Sequence, residues 1–81
     1  MATRAETIIG KLIAMGWQEG KATAHYRTFE NARYKHRLFV GRNGALRSGQ
    51  NVSSTYAVAG GNYEQILAVL DLMASKALQP N

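Results

Sequence analysis

No acidic residue occurs between Glu30 and Glu64, and Arg33, Lys35, Arg37, Arg42 and Arg47 all fall in that interval. A block of cations without carboxylates among them is an electrostatic footprint for a polyanion. Phe39 sits inside the block. Cations that meet phosphates beside an aromatic that stacks a base are the two components of a single-stranded nucleic-acid site. Alternate residues of a strand share a face, so Lys35, Arg37 and Phe39 line up on one side of any strand covering residues 34–41. His25 and Arg27 lie on the preceding apolar-polar alternation and are candidates for the same face.

Other chemistries are poorly supplied. The chain has no cysteine, which removes disulfides and thiolate zinc sites from consideration. His25 and His36 have no carboxylate at helical metal-ligand spacing, so no metal or other cofactor is expected. Only five carboxylates are present, too few to suggest a paired acid–base mechanism. His25 has the chemistry of a general base that would activate a ribose 2′-hydroxyl, but a polar strand residue is the favoured reading. The expectation leans towards a non-enzymatic protein with no catalytic residues.

The elements that must position the cations are legible from periodicity. Thr3-Arg4-Ala5-Glu6 reads as a capping box. Ala5, Ile8, Ile9, Leu12 and Ile13 then recur at helical spacing, and Gly16-Trp17 closes the helix, giving a span of about 4–15. A second helix starts after Asn62, carries Tyr63, Ile66, Leu67, Leu70, Met73, Ala74 and Ala77 on one face, and ends before Pro80. Between them, residues 22–30, 34–41 and 45–48 read as strands, and residues 52–58 as a fourth strand or an extended connection. The expected fold is a single α+β domain over residues 1–81: helix, three- or four-stranded antiparallel sheet, helix. Both helices cover one sheet face and the other is open.

The segment Phe39-Val40-Gly41-Arg42-Asn43-Gly44-Ala45-Leu46-Arg47-Ser48-Gly49 contains three glycines. Their spacing matches neither G-x-G-x-x-G nor the P-loop pattern. Gly41 to Gly44 fits the bare G-x-x-G of KH domains, whose loop joins two helices, whereas strand-forming residues flank it here. Asn-Gly between strands is a hairpin signal. A two-residue turn would put Val40 opposite Arg47. A three-residue loop, with Gly44 in the left-handed bulge position, puts Val40 opposite Leu46 and Phe39 opposite Arg47. The second register segregates chemistry: Leu38, Val40 and Leu46 on one face, Lys35, Arg37, Phe39 and Arg47 on the other. It is the expected one. The register of the 22–30 strand stays open. It buries either Ala24 and Tyr26, exposing His25, Arg27 and Phe29, or it buries Phe29 and exposes Tyr26.

The opening Leu12-Ile13-Ala14-Met15-Gly16-Trp17, followed by Ala24-His25-Tyr26-Arg27-Thr28-Phe29, resembles HicA-like toxins. These are small ribonucleases with a double-stranded-RNA-binding-like fold. That resemblance implies a related fold, with His25 at the histidine-strand position. The family's usual Gly-Ser-His is Thr23-Ala24-His25 here. The central hairpin, Leu38-Phe39-Val40-Gly41 through Gly44-Ala45-Leu46-Arg47 and Gly49, is similar to short phage and prophage proteins of unassigned role. It implies a mobile-element origin, and among such proteins are nucleic-acid binders and inhibitors of host defence.

Ten basic against five acidic residues give +5, which disfavours an acidic DNA mimic. The expected partner is therefore nucleic acid, DNA or RNA, met by Lys35, Arg37, Phe39, Arg42 and Arg47. The alternative is an acidic protein surface, as for an inhibitor of a bacterial host or defence complex; a HicA-like ribonuclease is third. Five phosphate contacts, drawn from these cations and Arg27 or His25, would give a log–log salt slope of about −3.5 on single strands, at about 0.7 per contact. No apolar run approaches a membrane span and no signal peptide is seen, so no membrane partner is expected and a cytoplasmic location is (the host cytoplasm, if phage-encoded). A core this small can lean on self-association, which makes a homodimer an expected possibility.

Overall fold

Thr3 starts the first helix by the reciprocal bonds its sequence predicts. Its Oγ1 accepts from the Glu6 amide at 3.1 Å, and the Thr3 amide donates to Glu6 Oε1 at 3.3 Å. The helix α1 runs Arg4–Ala14. It ends in a Schellman closure: the Gly16 amide donates to the Ile13 carbonyl and the Trp17 amide to the Leu12 carbonyl, both at 3.0 Å. Gly16 adopts φ 92°, a conformation open to glycine at little cost. Trp17 and Leu12 are both buried in the core, which supplies the apolar contact of that motif. Thr3→Ala removes the hydroxyl that accepts from the Glu6 amide, and is expected to lower stability by about 1 kcal/mol in urea unfolding without changing the m-value.

This is a computed structural model describing residues 2–34, 36–58 and 62–78. After α1 come β1 (Gln18–Glu19), β2 (Tyr26–Glu30), β3 (Arg37–Gly41) and β4 (Leu46–Gly49). A short 3-10 turn (Val52–Ser54), β5 (Tyr56–Ala57) and α2 (Tyr63–Leu78) follow. The strands form one five-stranded antiparallel meander in the order β1-β2-β3-β4-β5. The fold is α+β, as expected, with five strands where the sequence pattern gives three or four. The unexpected strand is β1; it and β5 are two-residue edge strands. Residues 52–58 divide between the 3-10 turn, capped by Asn51, and β5.

Both helices lie on one face of the sheet. Ile8, Ile9 and Leu12 of α1, Ile66 and Leu70 of α2, and Phe29, Leu38, Val40 and Leu46 of the strands form one buried cluster with Trp17. Asn62 caps α2 through its Oδ1, which accepts from the amides of Glu64 and Gln65. Ile13, expected on the apolar stripe of α1, is instead 55 % exposed. The side chains of Ala74 and Ala77, and Pro80, lie outside the described residues. Among the described residues no helix is long and apolar enough to cross a membrane.

The β3–β4 hairpin has the three-residue loop. Val40 pairs with Leu46 and Phe39 with Arg47, the Gly41 amide donates to the Ala45 carbonyl at 2.9 Å, and Gly44 sits at φ 87°. The strand β2 takes the register that buries Phe29. Phe29 pairs with Leu38 and Arg27 with Val40 on the helix side, while Tyr26 and Thr28 face the other way beside Gly41 and Phe39. Regular pairing begins only at Tyr26. Residues 20–25 are a loop tied to β2 by Gly20 N–H to the Thr28 carbonyl, Thr23 N–H to the Tyr26 carbonyl, and Thr28 Oγ1 to the Lys21 carbonyl.

Candidate functional site

The helix-free face is built from alternate residues of the three central strands. The pairing places Thr28, Phe39 and Arg47 in one row across it, with Arg37 and Glu30 towards one end and Tyr26 towards the other. Of the residues predicted from sequence, Arg37, Phe39 and Arg47 are brought together on this face, and Arg42 stands exposed in the hairpin loop at its end. Lys35 lies outside the described residues.

Arg27 and His25 are not part of that face. Arg27 is on the helix side at the sheet edge, where its Nε donates to Glu19 Oε2 at 2.7 Å and its Nη2 to the other carboxylate oxygen. The hydrogen bond from Arg27 holds the Glu19 carboxyl below its usual pKa, and the same bond raises that of Arg27. His25 lies exposed in the bend before β2 and makes no hydrogen bond among the described residues. The two corrections have different causes. Once Phe29 enters the core, the odd residues of β2 follow it to the helix side, Arg27 among them, whereas His25 precedes the strand, which begins at Tyr26.

Phe39 shares the expected face but is not the exposed ring expected there: it is 3 % exposed. The Tyr26 ring meets it edge-on, with centroids 6.4 Å apart. Thr28 and Arg47 flank it as cross-strand partners. The bond from Thr28 to Lys21 draws the 20–25 loop to the same side. A large apolar ring on a face without helices gathers side chains over itself, since covering apolar area is favourable by about 25 cal/mol per Å². Phe39 is therefore the floor of a groove of about 450 Å³, lined also by Lys21, Thr23, Thr28, Glu30, Arg37 and Asn51.

Two cations, Lys21 and Arg37, and one acid, Glu30, line the groove. Arg37 Nε stands 2.7 Å from Glu30 Oε1 in an exposed ion pair. Arg47 is half-buried, and its Nε is buried with no hydrogen-bond partner among the described residues. Unmet buried donors are costly, and a charged donor more so. No hydrogen bond or ion pair among the described residues engages the side chains of Lys21 or Arg42. No group of three or more His, Asp or Glu among the described residues could hold a metal ion.

A second open cleft, of about 520 Å³, adjoins the groove at the β2–β3 turn and shares Arg37 and Glu30 with it. Tyr34 and His36 line it. The turn is held by Asn31, whose Oδ1 accepts from the Arg33 amide and whose carbonyl accepts from the Tyr34 amide, both at 3.0 Å. Tyr34 lies flat on Trp17, with centroids 5.2 Å apart and planes 8° from parallel. Sequence reasoning treated Tyr34 as the start of a strand and missed it, along with Lys21. The signal was there: Arg33-Tyr34-Lys35-His36-Arg37 places a ring inside an unbroken run of basic and imidazole side chains. No protein-family model matches the chain, and no curated protein or solved structure is detectably similar to it.

Proposed function

We propose that this protein is a small non-enzymatic binder of nucleic acid, which meets the phosphate backbone with the cations of its helix-free sheet face and the β3–β4 hairpin. The observation that carries this reading is the charge asymmetry. Lys21, Arg37 and Arg47 border that face, Arg42 stands in the hairpin loop beside the start of α1, and Glu30 is the one acid on the face among the described residues. The Arg37–Glu30 pair does not cancel the asymmetry. An exposed ion pair is worth about 0–1 kcal/mol, so a phosphate can take over the guanidinium. The unmet Nε of Arg47 gains a partner when an anion settles against it.

Four phosphate contacts give single-strand binding a log–log salt slope of about −2.8. Arg37→Glu/Arg47→Glu is expected to halve that slope to about −1.4 and to weaken binding at every salt concentration. The test is a titration with single- and double-stranded DNA and RNA at several salt concentrations. Absence of binding at low salt defeats the reading. Co-purification with an acidic protein, in place of nucleic-acid binding, would point to the inhibitor alternative on the same face. RNA cleavage lost in His25→Ala would point to the ribonuclease.

A further inference from the structure

We infer that Tyr34 is a stacking platform for one unpaired base, seated in the cleft at the β2–β3 turn. The inference rests on the nucleic-acid reading above and specifies it: the preferred partner is single-stranded, and one of its bases leaves the strand to lie on this ring.

Three observations converge on Tyr34. First, the ring is both presented and held. It is 46 % exposed, yet one face is spent on Trp17, itself buried in the core, so the other face and the edge are what it offers. Stacking on a core residue fixes the ring before any ligand arrives, which lowers the ordering cost of binding. Second, the space beside it is a cleft of about 520 Å³, within the range of about 300–1,000 Å³ usual for small-molecule sites. Asn31 and Gln18 line it with amide groups that can meet the polar edge of a base. Third, the charge fits. Arg37 borders both this cleft and the Phe39 groove, so a strand whose phosphates follow the sheet face passes directly beside Tyr34. Phe39 cannot serve this purpose, because its ring is covered. Tyr56, the other exposed tyrosine, has no ring stacked behind it among the described residues.

A base stacked on Tyr34 contributes affinity without a phosphate contact, which separates the two terms experimentally. Tyr34→Ala is expected to weaken single-strand binding by about 5- to 150-fold, the equivalent of one base–aromatic stack, while leaving the salt slope unchanged. Tyr34→Phe keeps the ring and should bind like the wild type. Duplex binding should not respond to either change. Since Tyr34→Ala also removes the stack on Trp17 and can disturb folding, the decisive arm uses the wild-type protein. An oligonucleotide whose bases are replaced by abasic sites keeps its phosphates, and should lose a comparable factor. Equal affinity for abasic and base-bearing strands, or a wild type that prefers duplex, overturns the stacking site while the phosphate-binding face stands. A wild type that binds no nucleic acid at low salt overturns both.

Discussion

Phe29→Ala is expected to remove about 3–5 kcal/mol of stability, the usual cost of truncating a fully buried phenylalanine. Phe29 is 0 % exposed, pairs with Leu38 in the middle of the sheet, and packs within the cluster that joins α1, Trp17 and α2. The hole left behind is walled by backbone-fixed strands on one side and helices on the other, so little collapse can fill it. At about 0.05–0.15 kcal/mol per residue, a chain of 81 residues has roughly 4–12 kcal/mol in total, and this one change takes a large share of it. Urea unfolding followed by the fluorescence of Trp17 reads the loss as a lowered midpoint with an unchanged slope. Phe39→Ala makes the comparison informative. The same ring is removed from the opposite face, where Tyr26, Thr28 and the flexible stem of Arg47 surround it. Those side chains relax into the space, so the expected cost is clearly smaller. Equal costs would mean that the helix-free face is packed as rigidly as the core, and that its groove is not adaptable to a ligand.

The contrast between the two phenylalanines also marks what the sequence can reveal. Local features were legible because their causes are local. The Thr3-Glu6 box and the Gly16-Trp17 closure each involve residues no more than five apart. The hairpin register was legible because Leu38, Val40 and Leu46 would otherwise be split between faces. The register of β2 was not, because Tyr26 and Phe29 have opposite parity and either ring could fill the core by local pattern alone. Packing against Trp17 and the helices decides it, and with it the position of Arg27. The cover over Phe39 depends on the bond from Thr28 to Lys21, which forms between a strand and a loop that reads as more strand. Gln18-Glu19 carries no apolar alternation, so β1 left no trace. Tyr34 advertised itself by its basic neighbours, but its value as a platform comes from Trp17, seventeen positions earlier in the chain.

Gly44→Ala is expected to cost about 2–4 kcal/mol, and the reason joins the hairpin to α1. Part of the penalty is backbone strain: at φ 87° an L side chain crowds its own peptide, a cost of about 1–2 kcal/mol. The rest is a collision. A Cβ on Gly44 would stand 2.8 Å from the Cβ of Arg4 and 3.8 Å from the Arg4 carbonyl carbon, with no flexible side-chain end to give way. Arg4 is itself confined, since its guanidinium lies 5.1 Å from the Tyr63 ring centroid at the start of α2. The hairpin loop that carries Arg42 is thus seated on the first turn of α1 by the absence of a side chain at position 44. A double-mutant cycle separates the two terms. In an Arg4→Gly background the collision is gone, and Gly44→Ala should cost only the strain. A penalty unchanged in that background would show that the loop does not rest on α1. If instead the penalty shrinks as expected, Gly44→Ala should also weaken the proposed nucleic-acid binding beyond any effect on folding, because Arg42, one of the proposed phosphate contacts, is displaced.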